Sequence, residues 1–266
     1  MSARPDITVV IATRLRPERL GYLTELHASL QRQTVPFEAV LVLDGADPAR
    51  LPASIAADPR IRVLALPRPV GAAAARNLGL RMVRTRYVCY SDDDDLLSDD
   101  SLAVRHQRIT ETNLGWVAGL SADLYPDGTT RIWHCPTPPG RHRPGDVVTY
   151  WTSPQAPIPL GQTMLLARTS LVLAAGGHGG LPQGEDFLMV NAVTSLAAGE
   201  LLPHVCYFYR RHEFQMTAGG AAFQQLEGTV RDFAFRQGHA LRDLLALGRA
   251  GTPAGDPLTP PSFPAG

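Results

Sequence analysis

The chain opens on Ile7-Thr8-Val9-Val10-Ile11-Ala12, a continuous β-branched apolar run of the kind that forms a strand buried on both faces of a parallel sheet. A helix is predicted from Pro17, which suits a first turn, to about Gln33. Ala39-Val40-Leu41-Val42-Leu43 gives the next buried strand, ending at Asp44-Gly45, and Ile61 to Ala65 gives a third. Gly71 to Val83 reads as a helix and Tyr87 to Ser91 as a fourth strand. Strands alternating with helices imply right-handed βαβ units and a Rossmann-like open sheet. Ligands of such sheets sit beyond the carboxyl ends of the strands. Thr13, Asp44 and Asp92 to Asp95 all fall at those ends, so three separate segments are expected to converge on one crevice.

The pattern changes after residue 100. Trp116 to Leu124 and Thr129 to Cys135 read as strands joined by a Pro126-Asp127-Gly128 turn. Pro136 to Pro159, rich in Pro and Gly, is predicted to loop over the surface as a lid or binding segment, with Val147 to Trp151 as a short ordered piece. Gly161 to Ala167 reads as a strand, Ser170 to Ala175 as a short helix, and Gly184-Glu185-Asp186 as the start of a helix running to about Ala198. Val205 to Arg210 is the last predicted strand and Phe223 to about Leu247 an amphipathic helix. From Arg249 onward the composition is that of a disordered tail.

The fourth strand runs straight into Asp92-Asp93-Asp94-Asp95. Like charges this close destabilise one another, so a compensating cation is expected. On an extended segment Asp92 and Asp94 leave the same side, and two hard oxygens so placed suit Mg2+ or Mn2+ with diphosphate and water at the remaining positions. The competing reading is a solvated acidic turn that caps a following helix at Asp99, Asp100 or Ser101.

Composition narrows the chemistry. The 266 residues, 44% of them hydrophobic, suffice for one large domain or two closely packed halves. Net charge is zero, which argues against broad attraction to nucleic acid. Three widely spaced cysteines suggest reduced core thiols, and with no apolar run of about 18 residues a cytoplasmic protein without a membrane span is expected. All 25 basic residues are arginine. Schiff-base chemistry and a P-loop lysine are therefore excluded, and any phosphate must be held by arginine, backbone amides or a metal ion.

In order, these segments resemble the family 2 inverting glycosyltransferases of the GT-A fold. Thr13, Arg16 and Pro17 within ITVVIATRLRPERL match the family's opening strand and loop, while Ala12, Arg14 and Leu15 depart from it. Leu43-Asp44-Gly45-Ala46 is similar to its nucleoside-binding element, and GAAAARNLG at Gly71 to Gly79 to the segment after the third strand. The aspartate run matches the D-x-D-D motif. Gly176-Gly177 with Gly184-Glu185-Asp186 resembles the acceptor-side motif, with His178 where the family has Phe, and Tyr209-Arg210-Arg211-His212 resembles the closing Y-R-x-H element.

The resemblance implies an α/β GT-A domain over 1–220, with a nucleotide-binding half at 1–96 and an acceptor-binding half at 97–220. A packed C-terminal helix at 221–248 and a tail at 249–266 would follow. It implies a metal-dependent, hexosyltransferase-type enzyme that moves a sugar from a nucleotide-diphosphate donor, UDP foremost, to an acceptor hydroxyl in one in-line displacement. Asp94, Asp92 and His212 are the implied metal ligands, and Thr13, Arg14, Asp44, Arg76, Asp92, Asp93 and Arg210 the implied donor-binding residues. Asp186 is the implied general base, with Glu185 its alternate or an acceptor-orienting group. Trp151 reads as core rather than as a stacking platform. Two other functions stay open at this point. They are a catalytically silent nucleotide-sugar binding module and a sugar-phosphate nucleotidyltransferase, though the latter usually carries a Gly-rich opening loop with lysine, which this chain lacks.

Overall fold

The structure, a computed structural model, describes residues 4–215 and 221–250. Its first half alternates as the apolar runs predict: β1 (Ile7–Thr13), α1 (Leu20–Gln31), β2 (Phe37–Leu43), α2 (Ala53–Ala56), β3 (Ile61–Ala65), α3 (Ala72–Met82) and β4 (Tyr87–Asp92). The second half contains β5 (Leu96–Leu97), α4 (Ser101–Thr112), β6 (Trp116–Leu124), β7 (Thr130–Ile132), β8 (Gly140–His142), β9 (Leu165–Arg168), α5 (Thr169–Ala174), α6 (Glu185–Leu196), β10 (Gly199–Arg210) and α7 (Ala221–Ala250). One mixed sheet joins both halves in the order β3-β2-β1-β4-β9-β6-β10-β5, with β7 paired to β6 and β8 to β10. Strands β3, β2, β1 and β4 are parallel. Antiparallel β9 then links β4 to β6, which runs parallel to β10.

Two apolar clusters sandwich this sheet. One face of β1 and β2, through Val9, Ile11 and Leu41, packs on Leu23, Leu26 and Leu30 of α1. The other face, through Val10, Val40 and Val42, packs on Ala75 and Leu80 of α3. Such alternation along both strands is why they read as continuous apolar runs. Helix α3 lies close because of Gly79, where an added Cβ would stand 2.6 Å from Val10 Cγ1 and 2.9 Å from Val42 Cγ2. Gly79→Val is expected to cost about 1–3 kcal/mol by overpacking, read as a lowered midpoint in urea.

Several expectations change in detail. The helix predicted from Pro17 begins as a 3₁₀ turn at Pro17–Arg19, and the strand predicted from Gly161 begins as a 3₁₀ turn at Gln162–Met164. Helix α4, which the Asp-rich run foreshadowed only as a cap, and strand β8 inside the predicted loop are additional elements. The aspartate run is not extended throughout: β4 ends at Asp92, and Asp93-Asp94 form a turn into β5. Asp92 and Asp94 therefore do not follow strand alternation, and the turn sends them to different partners, Asp92 to Arg76 and Asp94 to His212. Trp151 is 1% exposed, a core residue as expected. Cys89 and Cys206 are buried free thiols, whereas Cys135 is only half-buried. No helix among the described residues is long and apolar enough to cross a membrane. Residues 249 and 250 complete α7, and the tail expected beyond them lies outside the described residues.

Candidate active site

The carboxyl ends of β1, β2 and β4 deliver the first group of side chains. Thr13 donates its hydroxyl to Asp93 at 2.6 Å and accepts the Leu15 amide at 3.1 Å, so the end of β1 is tied to the aspartate turn. Asp44 accepts the backbone amides of Val70 and Gly71 at 2.6 and 3.2 Å, which bind the loop before α3 to the tip of β2. Arg14, half exposed, lies 3.9 Å from Asp44.

The four aspartates have four different environments. Asp92 takes the Arg76 guanidinium at 2.6 Å. Asp93 lies 2.9 Å from Arg19, which also contacts Asp94. Asp94 meets the His212 ring at 2.9 Å. Asp95, with no exposed surface, accepts the Tyr207 hydroxyl at 2.9 Å and the Arg210 amide at 2.7 Å. Burial pushes the Asp93 carboxyl up to about 6 against the opposing charge of Arg19, and burial together with the neighbouring Asp94 holds Asp95 well above the ordinary range. Burial alone would lower Arg19, but Asp93 and Asp94 outweigh it and raise it. The positive charge that the acidic run demands is thus supplied in part by Arg19, a residue whose sequence context gave no signal, since the pairing spans more than seventy positions.

Arg76, 9% exposed, is the hub of the site. It reaches Glu185 at 2.5 Å as well as Asp92, so one planar guanidinium joins the tip of β4 to the start of α6. Next to it on α3, Asn77 donates to the His178 carbonyl at 2.9 Å and accepts the His178 amide at 2.9 Å. That clamp needs Gly177, where φ is +68° and a Cβ would come 2.3 Å from Asn77 Oδ1. His178 is a buried ring bonded to Gln162 at 2.6 Å and pushed down to about 3 by burial and Arg76; it packs edge-on to Tyr90 and fills a Phe-like position.

Asp186 is half-buried at the first turn of α6 and lines a cavity of about 580 Å³ together with Asp92, Arg76 and Glu185. Burial first, then the adjacent Glu185, pushes its carboxyl up to about 7, with Arg76 opposing. A carboxyl poised there is matched to general-base work near neutrality. Arg210 is engaged by the Asp94 carbonyl at 2.8 Å and by Glu25 at 2.5 Å, and it stacks over Tyr22. Arg211 pairs with Asp123 at 2.9 Å on the cavity wall. The structure therefore brings Asp92, Arg76, Glu185 and Asp186 around one cavity. Thr13, Asp93, Asp94, His212 and Arg210 surround the adjoining turn, while Asp44 and Arg14 sit by the loop at residue 70. The wall residues Trp133, Glu227 and Arg231 were not singled out from sequence, since nothing local marks them as neighbours of α6.

Among the described residues no three His, Cys, Asp or Glu side chains gather around one metal position. Asp94 and His212, one carboxylate oxygen and one imidazole nitrogen 2.9 Å apart, could together contribute two ligands to a divalent ion, although Arg19 shares the same Asp94 oxygen.

The mixed sheet, with acidic and arginine side chains gathered at its carboxyl edge, defines a protein of the GT-A class. The model of glycosyl transferase family 2 matches residues 8–171, more than half of the chain. The chain belongs to that family. Among curated proteins it is similar to the succinoglycan biosynthesis protein ExoO of Rhizobium meliloti (strain 1021), with 34% identity over 100 residues, covering 37% of this chain and 28% of that protein. Among solved structures it is similar to S. aureus TarS residues 1–349, with a TM-score of 0.63 and 19% identity over 77% of this chain and 60% of that one. The same TarS segment in complex with UDP-GlcNAc gives 0.62 and 17%, over 85% and 66%. The chain thus spans about a quarter of the curated relative and less than two thirds of these solved chains.

Proposed function

We propose that the protein is a metal-dependent, inverting glycosyltransferase that moves a sugar from a UDP-sugar to an acceptor hydroxyl. The observation that carries this reading is Arg76, which joins Asp92 at the donor edge to Glu185 beside Asp186, with all four lining one cavity. Family membership supports transfer chemistry, and the TarS complex with UDP-GlcNAc supports a UDP donor by analogy of fold. In this reading Asp94 and His212 would hold Mg2+ or Mn2+, whereas Asp92, the last residue of β4 and engaged by Arg76, is left out of the expected ligand set. When bound, the ion offsets charge on the departing diphosphate. Thr13, Arg14, Asp44 and Asp93 line the donor side, with Arg210 bracing the turn from β10. Asp186 takes the acceptor proton as the hydroxyl attacks, and Glu185, fixed by Arg76, orients the approach. A single displacement needs one base and no covalent intermediate, which accords with one carboxyl tuned to about 7.

Thermal-shift measurements with UDP-, GDP- and TDP-sugars, with and without Mn2+, test the donor assignment, since a ligand selective for the native state raises its stability. UDP-sugars are expected to give the largest shift, and only with metal; no shift with any nucleotide sugar would contradict the reading. Asp94→Asn is expected to weaken Mn2+ binding to the UDP-loaded protein by about tenfold or more in calorimetry, equivalent to about 1.4 kcal/mol. An unchanged titration would count against metal ligation by Asp94.

A further inference from the structure

Helix α7 begins fifty residues past the segment matched by the family model, yet it forms part of the cavity wall. It is anchored on α6, where Asn191 donates to the Ala234 carbonyl at 2.8 Å and to Gln237 at 3.0 Å. It also meets the turn that aims the Glu185-Asp186 pair. Gly184, at φ +64°, is packed so tightly that a Cβ would come 2.6 Å from Val230 Cγ1. The next residue, Arg231, donates to the Pro154 carbonyl at 2.6 Å and to the Ala156 carbonyl, and its guanidinium faces the rings of Trp151 and Phe187. That staple fixes the loop whose Pro157 and Ile158 close the cavity.

The charges of the wall are unevenly used. Arg76 serves Asp92 and Glu185, Arg211 serves Asp123, and Arg231 serves two backbone carbonyls. Every lining guanidinium is therefore engaged. Glu227, its side chain 46% exposed, has its nearest cation at 4.0 Å, so its carboxylate remains able to accept hydrogen bonds from a ligand. Trp133, Phe187 and Val230 add apolar surface to the same cavity. A ring with hydroxyls on its edge and C–H groups on its faces matches both kinds of surface, whereas an anion would meet carboxylates with no uncommitted arginine.

We propose that Glu227 on α7 is a specificity-determining residue of the acceptor site, accepting hydrogen bonds from an uncharged polyhydroxylated ring and excluding anionic acceptors. This rests on the transferase reading above, so the test separates the two. Calorimetry first measures UDP with Mn2+, and saturation-transfer NMR on the UDP-loaded protein then compares methyl glucoside with glucose 6-phosphate. The neutral probe is expected to bind about tenfold or more tightly than the phosphate. Glu227→Gln should narrow that preference severalfold while leaving UDP affinity unchanged, because position 227 belongs to the acceptor wall and not to the donor edge. Rising salt should narrow it more in the wild type than in the variant, which keeps the other carboxylates of the wall. Equal binding of the two probes by the wild type, or a preference that Glu227→Gln does not move, overturns the assignment of Glu227. Absence of UDP binding overturns the donor reading instead.

Discussion

Asp186→Asn is expected to lower transfer by about 10²–10⁴-fold while UDP affinity stays within about twofold. The amide preserves shape and hydrogen bonding but cannot take the acceptor proton, and among the described residues Asp186 makes no hydrogen bond or ion pair with Arg14, Asp44 or Asp93, groups assigned above to the donor. A loss of UDP affinity as large as the loss of turnover would contradict its role as base. In the wild type, kcat/KM should rise with pH through about 7, where the carboxyl becomes ionised, and the variant should lose this limb. Stability supplies an independent check of the sign. The folded-state value, about 7, lies above the ordinary carboxyl value of 3.8, so between these limits the native state binds more protons than the unfolded state. The contribution of Asp186 to stability is therefore full below about pH 4 and lost as pH rises through 7. Asn is not penalised in this way, so the variant should melt a few degrees higher than wild type at pH 8 and level with it at pH 4. A base kept half-buried for function would show up as that trade.

Arg76→Met should be the most destabilising single change in the site, by about 3–5 kcal/mol, because it strips the guanidinium from two carboxylates at once. Both partners line one cavity, and among the described residues no other arginine lies within pairing distance of either. Arg76→Lys should recover only part of the loss, since an ammonium cannot span Asp92 and Glu185 with the geometry of a planar fork. Urea unfolding measures both variants. If Arg76→Met unfolds within about 1 kcal/mol of wild type, the bridge is not what joins the tip of β4 to α6.

Much of the first half of the fold is legible in the sequence, because strands covered on both faces must be apolar at every position. Ile7 to Ala12 and Ala39 to Leu43 show this without ambiguity, and their ends mark where Thr13 and Asp44 emerge. The Gly184-Glu185-Asp186 start of α6 is legible too, since acids at a helix N-terminus and a glycine before them follow from local rules. What escapes a local reading is pairing over long separations. Arg19 to Asp94, Asn77 to His178 and Val230 to Gly184 each depend on tertiary packing, and no spacing rule links such positions. The bend at Asp93-Asp94 escaped for a related reason. Strand alternation holds only while the backbone stays extended, and β4 ends at Asp92, where the aspartates turn toward partners far apart in sequence.

Because one buried guanidinium is shared between Asp92 and Glu185, whatever engages it from one edge alters what is left at the other. On the reading proposed above, with donor and acceptor meeting opposite edges of that bridge, thermodynamic reciprocity makes each change the other's affinity by the same factor. That coupling is the same whichever reactant arrives first, so it would be read as interdependent affinities rather than as a fixed sequence of arrival.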